Sequence, residues 1–103
     1  MLFRSHRPVL IVNATFHLVP GADEEKFLAA DARFQEEFAY QLKGHRRRTT
    51  ARGENGAWLV TSWFDSAEAF AAAGSATVGL DAVEEMHRFI DFGTHEVTVW
   101  ETL

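Results

Sequence analysis

From residue 58 to residue 64 the chain reads Trp-Leu-Val-Thr-Ser-Trp-Phe, which presents apolar side chains on either face of a strand. Such a strand lies inside a sheet and is covered on both sides. The rest of the chain must then supply neighbouring strands, a layer of helices over one face, and a cover for the other. With 103 residues there is room for one core and one domain, so that second cover has to come from outside the chain.

The other segments supply the strands and helices. Residues 9–19, VLIVNATFHLV, are rich in β-branched side chains and stop at Pro20-Gly21, the pattern of a first strand. Alternation gives it a wholly apolar face, Leu10, Val12, Ala14, Phe16 and Leu18, and a mixed face that carries Asn13, Thr15 and His17. Asp23 can cap a helix, with Glu24 and Glu25 set against the positive end of its dipole. Phe27, Ala30, Phe34, Phe38 and Leu42 then form one apolar stripe that Gly44 terminates. Arg46 to Arg52 reads as an edge strand, joined through Gly53-Glu54-Asn55-Gly56 to a strand over Ala57 to Phe64. Asp65 or Ser66 begins a short helix, Glu68 completing a capping box with Asp65, and Gly74-Ser75 closes it. Leu80, Val83, Met86, His87 and Ile90 share one arc of a further helical piece, Gly93 resets the chain, and His95 to Glu101 alternates as a last strand.

The order β-α-β-β-α-β predicts an α+β, ferredoxin-like domain over residues 9–103, a four-stranded antiparallel sheet with helices on one face, preceded by a tail over 1–8. The open face is too apolar to be left wet, and a second copy of the chain is its simplest cover, making a homodimer.

Composition removes several classes of function. There is no cysteine, so disulfides, thiolate metal sites and cysteine nucleophiles are out. The formal charge of −5 works against nucleic-acid binding. No apolar run reaches membrane-spanning length and residues 1–8 lack the pattern of a signal peptide, so no membrane partner and a cytoplasmic location are expected. The histidines at 6, 17, 45, 87 and 95 show no metal-ligand spacing, and neither a phosphate-binding glycine loop nor a G-x-S-x-G elbow occurs. Neither metal nor cofactor is expected.

Trp63-Phe64-Asp65-Ser66-Ala67-Glu68-Ala69-Phe70 resembles the W-x-S-x-E-A-F stretch of the antibiotic-biosynthesis-monooxygenase-like members of the dimeric α/β-barrel superfamily, with one extra residue between Trp63 and Ser66. Thr15-Phe16-His17-Leu18-Val19-Pro20-Gly21-Ala22 is similar to that family's passage from first strand to first helix. The resemblance implies the dimeric α/β-barrel fold, and a choice among cofactor-free oxidation of quinol-like aromatics, haem degradation, isomerisation and no activity. In the cofactor-free oxygenases the family Trp, which Trp63 matches, faces a pocket, with an Asn four residues earlier; here position 59 is leucine. The haem-degrading branch uses an Asn on the first strand, where Ala14 stands with Asn13 beside it, and a Trp on the second helix, where Ala71, Ala72 and Ala73 stand; only His87 is comparable to its His.

One cavity flanked by Trp63 and His87, with Phe16, Thr61 and Phe70 as walls, would suit a small aromatic ligand, His87 acting as the base. Each of Trp63 and His87 also has a plain structural reading, as a core aromatic and as a satisfied histidine. Of the run Arg46-Arg47-Arg48, alternation lets only Arg47, or else Arg46 and Arg48, face that cavity; Arg47 is taken as the ligand-binding member, against a simple edge-protecting role for the run. Asn13, Thr15 and His17 belong on the face away from the helices, where they would hydrogen-bond across a dimer. The expected function is that of a small-molecule-binding protein resembling cofactor-independent monooxygenases. The alternatives are a non-catalytic ligand-binding or structural dimeric module, then haem handling.

Overall fold

A computed structural model describes residues 8–103, so the tail expected over residues 1–8 lies, except for Pro8, outside the described residues. The elements are β1 (Leu10–Leu18), α1 (Glu24–Glu37), β2 (His45–Arg52), β3 (Ala57–Phe64), α2 (Ala67–Ala73), α3 (Leu80–His87) and β4 (Ile90–Glu101), with a 3₁₀ turn at Ala39–Gln41. The strands form one sheet in the order β2-β3-β1-β4, every neighbour antiparallel. This is the α+β, ferredoxin-like arrangement that the segment order predicts.

Register sorts the side chains into two faces. Leu10 pairs with Phe64, Val12 with Ser62, Ala14 with Val60 and Phe16 with Trp58, and these residues face the helices. Phe27 of α1 is fully buried among them, its ring 4.9 Å from that of Trp58 and 6.0 Å from that of Phe16. Val60, Met86 and Ile90 complete this core, and each side chain of this size stabilises the fold by roughly 1.5–3 kcal/mol when fully buried. On the other face stand Ile11, Asn13, Thr15 and His17, opposite Trp63, Thr61, Leu59 and Ala57 of β3. Trp100 and Thr98 of β4 pair with Ile11 and Asn13 and share that side. Trp63 and Trp100 are 36% and 59% exposed there.

Three boundaries and one capping interaction differ from the sequence reading. The α1 helix begins as expected, Asp23 accepting from the Lys26 N–H at 3.1 Å, but stops at Glu37, and the chain tightens into the 3₁₀ turn before Gly44. Gly44 has φ +85°, and a Cβ there would lie 2.6 Å from the Ala69 Cβ, so glycine is needed both for the turn and for the close approach of α2. The α2 cap is Ser66, whose hydroxyl accepts from the Ala69 N–H at 3.1 Å; with the cap at Ser66 the capping box between Asp65 and Glu68 does not form. Finally, α3 ends at His87 and Ile90 already opens β4, which starts five residues earlier than the pattern after Gly93 suggests. The early part of β4 bulges: Thr15 pairs with Glu96 and His17 with Asp91, leaving residues 92–95 opposite Phe16 alone. Thr94 pins the bulge, its Oγ1 accepting from the His17 N–H at 2.9 Å and donating to the Asp91 carbonyl at 2.6 Å.

Candidate functional site

Between the helix-facing side of the sheet and helices α1 and α3 lies a cavity of about 370 Å³. Ala14 and Phe16 of β1 and Val60 and Ser62 of β3 form its floor, Phe34 of α1 one wall, and Met86 and His87 of α3 another. The β4 bulge brings two more groups, Phe92 and His95, to the same space. Without the extra residues a regular strand would carry at most alternate side chains inward. The His87 ring meets Phe92 edge-on at 5.2 Å, and His95 lies 5.3 Å from the same phenyl ring. Burial, and next the neighbouring His95, push the His87 pKa below its ordinary value of 6.5. At neutral pH His87 is therefore an uncharged imidazole with a lone pair to offer.

Opposite the histidines the cavity has one strongly polar wall group, Arg48 of β2. Its side chain is only 3% exposed, and Nη2 donates to the Asp31 carboxylate of α1 at 2.7 Å. Thr50, two residues along β2, donates to the other Asp31 oxygen at 2.7 Å. The guanidinium stands 4.8 Å from the centre of the Phe34 ring. Near it His45 packs edge-on against Phe64 at 5.1 Å with both ring nitrogens buried and without a hydrogen-bond partner among the described residues.

Of the residues expected at one site, His87 and Phe16 line this cavity and the other four do not. Trp63 and Thr61 lie across the sheet, on the open face, where the Thr61 hydroxyl donates to Asn13 Oδ1 at 2.9 Å. The reason is the extra residue noted between Trp63 and Ser66. Counted back from Ser66, the family Trp position falls on Phe64, which is inward and 5% exposed, and the position four before it on Val60. One residue of slip reverses every side chain. Phe70, from α2, packs on Phe64 at 5.3 Å and not in the cavity. Arg47 pairs with Trp63 and points to the open face, whereas Arg48 pairs with Ser62 and points inward. A bulge at Arg46 separates the three arginines, Arg46 itself reaching Asp65 at 3.2 Å on the surface. Sequence reasoning missed Arg48, Phe92 and His95. Alternation allowed Arg48, but nothing in the sequence marked the β4 bulge.

Fold and cavity together define a ferredoxin-like α+β protein with a mostly hydrocarbon cavity between sheet and helices. No protein-family model and no curated protein sequence matches the chain. Solved structures do. SnoaB, a cofactor-independent oxygenase from Streptomyces nogalater, is 17% identical, with 95% of each chain covered and a TM-score of 0.75. A candidate antibiotic biosynthesis monooxygenase from Caulobacter crescentus CB15 is 16% identical over 94% of this chain and 92% of that one, with a TM-score of 0.77. Another from Bordetella bronchiseptica is 10% identical over 92% and 97%, with a TM-score of 0.78. At these identities the likeness is one of fold, and it is the fold of the antibiotic-biosynthesis-monooxygenase-like proteins that the Ser66 stretch resembles. Among the described residues no helix is long and apolar enough to cross a membrane, and no three His, Cys, Asp or Glu side chains converge as a metal requires.

Proposed function

We propose that the protein binds a small electron-rich aromatic of the quinol type in this cavity and oxidises it with dioxygen without a bound cofactor. The observation that carries the reading is a neutral, partly buried His87 on the wall of an otherwise largely hydrocarbon cavity. His87 takes the proton from a ring hydroxyl, and the anion left behind is electron-rich enough to give electrons to oxygen. Phe16 and Phe34 hold the ring, with the half-exposed Phe92 at its edge. The shared fold with a cofactor-independent oxygenase supports the same reading. Oxygen uptake over a panel of hydroquinones is the test: the wild type consumes oxygen, His87→Ala loses at least about a hundredfold, and the acid limb of the rate profile has its midpoint below 6.5. No uptake across the panel overturns the proposal.

The protein works in this reading as a cytoplasmic homodimer, two copies meeting through their open sheet faces, with Trp63, Thr61 and Arg47 as contact residues. The exposure of Trp63 and Trp100 supports it. A second reading, non-catalytic sequestration of an aromatic ligand, is favoured by Val60 and Phe64, hydrocarbon where the family's oxygenases place Asn and Trp. Ligand binding without turnover would select it.

A further inference from the structure

Arg48 has more capacity than its structural partners use. A guanidinium has five N–H donors. Nη2 is engaged with Asp31 at 2.7 Å, Nη1 reaches Gln35 Oε1 only at 3.5 Å, and Nε has no partner among the described residues. Arg48 is also the one Lys or Arg among the residues lining the cavity. Held on one edge by Asp31 and against the face of Phe34, the group is already oriented, so presenting its remaining donors to a ligand costs little conformational freedom. Thr50 takes up the second Asp31 oxygen, so the carboxylate does not claim the whole guanidinium edge. As a device for stability alone the pair has little purpose, since buried ion pairs generally hold a fold no better than well-packed hydrocarbon of the same volume.

We infer that Arg48 is the oxyanion-binding residue of the cavity, selecting aromatic ligands that carry an ionisable ring hydroxyl and holding them as the phenolate, with the ring among Phe16, Phe34 and Ile90. The inference rests on the cavity being the aromatic site proposed above, but not on any reaction with oxygen. The only bond that breaks on binding is the phenol O–H; its proton leaves to solvent or to His87, and no electron moves. The charge-bearing groups around the ligand are Asp31 from α1, Arg48 and the adjacent His45 from β2, His87 from α3 and His95 from β4. Asp31 is not among the lining residues and has both oxygens taken by Arg48 and Thr50, and burial with the neighbouring cation disfavours charge on His45 and burial disfavours it on His87, so the cationic group presented to the ligand is Arg48.

The test uses 4-nitrophenol, whose phenolate is yellow and whose phenol is not, titrated with pH while bound to the full chain. The wild type lowers the ionisation midpoint of the bound dye by about one pH unit or more, a tenfold preference for the anion. The double variant Asp31→Leu with Arg48→Met keeps the wild-type circular dichroism, melts cooperatively within about 8 °C of the wild type, and loses that shift. A ligand-side comparison does not depend on the variant folding: 4-nitroanisole, which cannot ionise, binds the wild type at least tenfold more weakly than 4-nitrophenol above the dye's own pKa. If nitroanisole binds as well as the phenolate, or the bound dye titrates at its free value, Arg48 is only a tie between α1 and β2 and the inference is overturned while the aromatic site stands. If neither compound binds, the site reading itself fails and takes the inference with it.

Discussion

Replacing Trp63 by serine removes an indole that is 36% exposed on the open sheet face, opposite the side that carries the core. An indole side chain offers up to about 250 Å², so about 90 Å² of apolar surface stands ready for a partner. At about 25 cal/mol per Å² its burial is worth about 2 kcal/mol. In a two-fold pair each copy contributes the same residue, so the variant loses this twice, about 4–5 kcal/mol or about a thousandfold in dissociation constant. Side-chain ordering and imperfect contact reduce the figure, and a weakening of at least about a hundredfold is the expected result. Sedimentation equilibrium across a micromolar concentration series measures both constants, with circular dichroism to show that β1 and β3 still pair. Trp100→Ser, from the same face and 59% exposed, should weaken association further. A wild-type chain that sediments as a single 11.6 kDa species, or a serine variant that dimerises as tightly as the wild type, would refute the reasoning.

Asp31→Ala strands a guanidinium that is 3% exposed and deprives Thr50 of its acceptor; urea unfolding should show a loss of about 3–5 kcal/mol, against no more than about 1 kcal/mol for Asp31→Leu with Arg48→Met. His45→Phe replaces two buried nitrogens that have no partner among the described residues by a ring of similar shape, and should stabilise the fold by about 1 kcal/mol at pH 7. The same variant should flatten the acid limb of stability. Burial first, and Arg48 second, hold the folded pKa of His45 below 6.5, so between the two values the unfolded chain binds the proton that the folded one refuses. Stability then rises with pH through that window and is lost as pH falls from 6.5. A wild-type-minus-variant difference in unfolding free energy that does not change over this range contradicts the assignment.

What could be read in the sequence is what periodicity encodes. The apolar face of β1, the stripe of α1 with its Asp23 cap, and the hairpin at Asn55-Gly56, where both residues adopt positive φ, are all local, repeated signals. Helix ends were less legible. Leu42 continues the stripe of α1 perfectly well, yet the approach of Ala69 to Gly44 requires the chain to turn before it, and that contact is tertiary. Ile90 likewise fits the arc of α3 but is taken by β4, pairing with Leu18. His87 was legible because it sits on a regular helix. His95 and Phe92 were not, since a four-residue bulge is set by the hydrogen bonds of Thr94 and Asp91 and leaves no alternation to detect.

Three of the four misplaced site residues, Trp63, Thr61 and Arg47, share one error of parity. Trp63 and Arg47 are a cross-strand pair on the open face, as Ser62 and Arg48 are on the inner one. Adjacent strands in register share their faces. Once Phe64 is recognised as the inward residue, by counting two back from the α2 cap at Ser66, Ser62 must be inward too, and its partner Arg48 follows without further assumption. The consequence is chemical. An arginine on the open face would be a solvated charge and a weak anion site, whereas Arg48 is enclosed, stacked on Phe34 and fixed by Asp31. Low polarity strengthens every bond that such a group makes to an anion. A one-residue parity therefore separates a cavity that merely shelters an aromatic ring from one that favours its ionised form, and the bound state of a coloured phenol reads that parity directly.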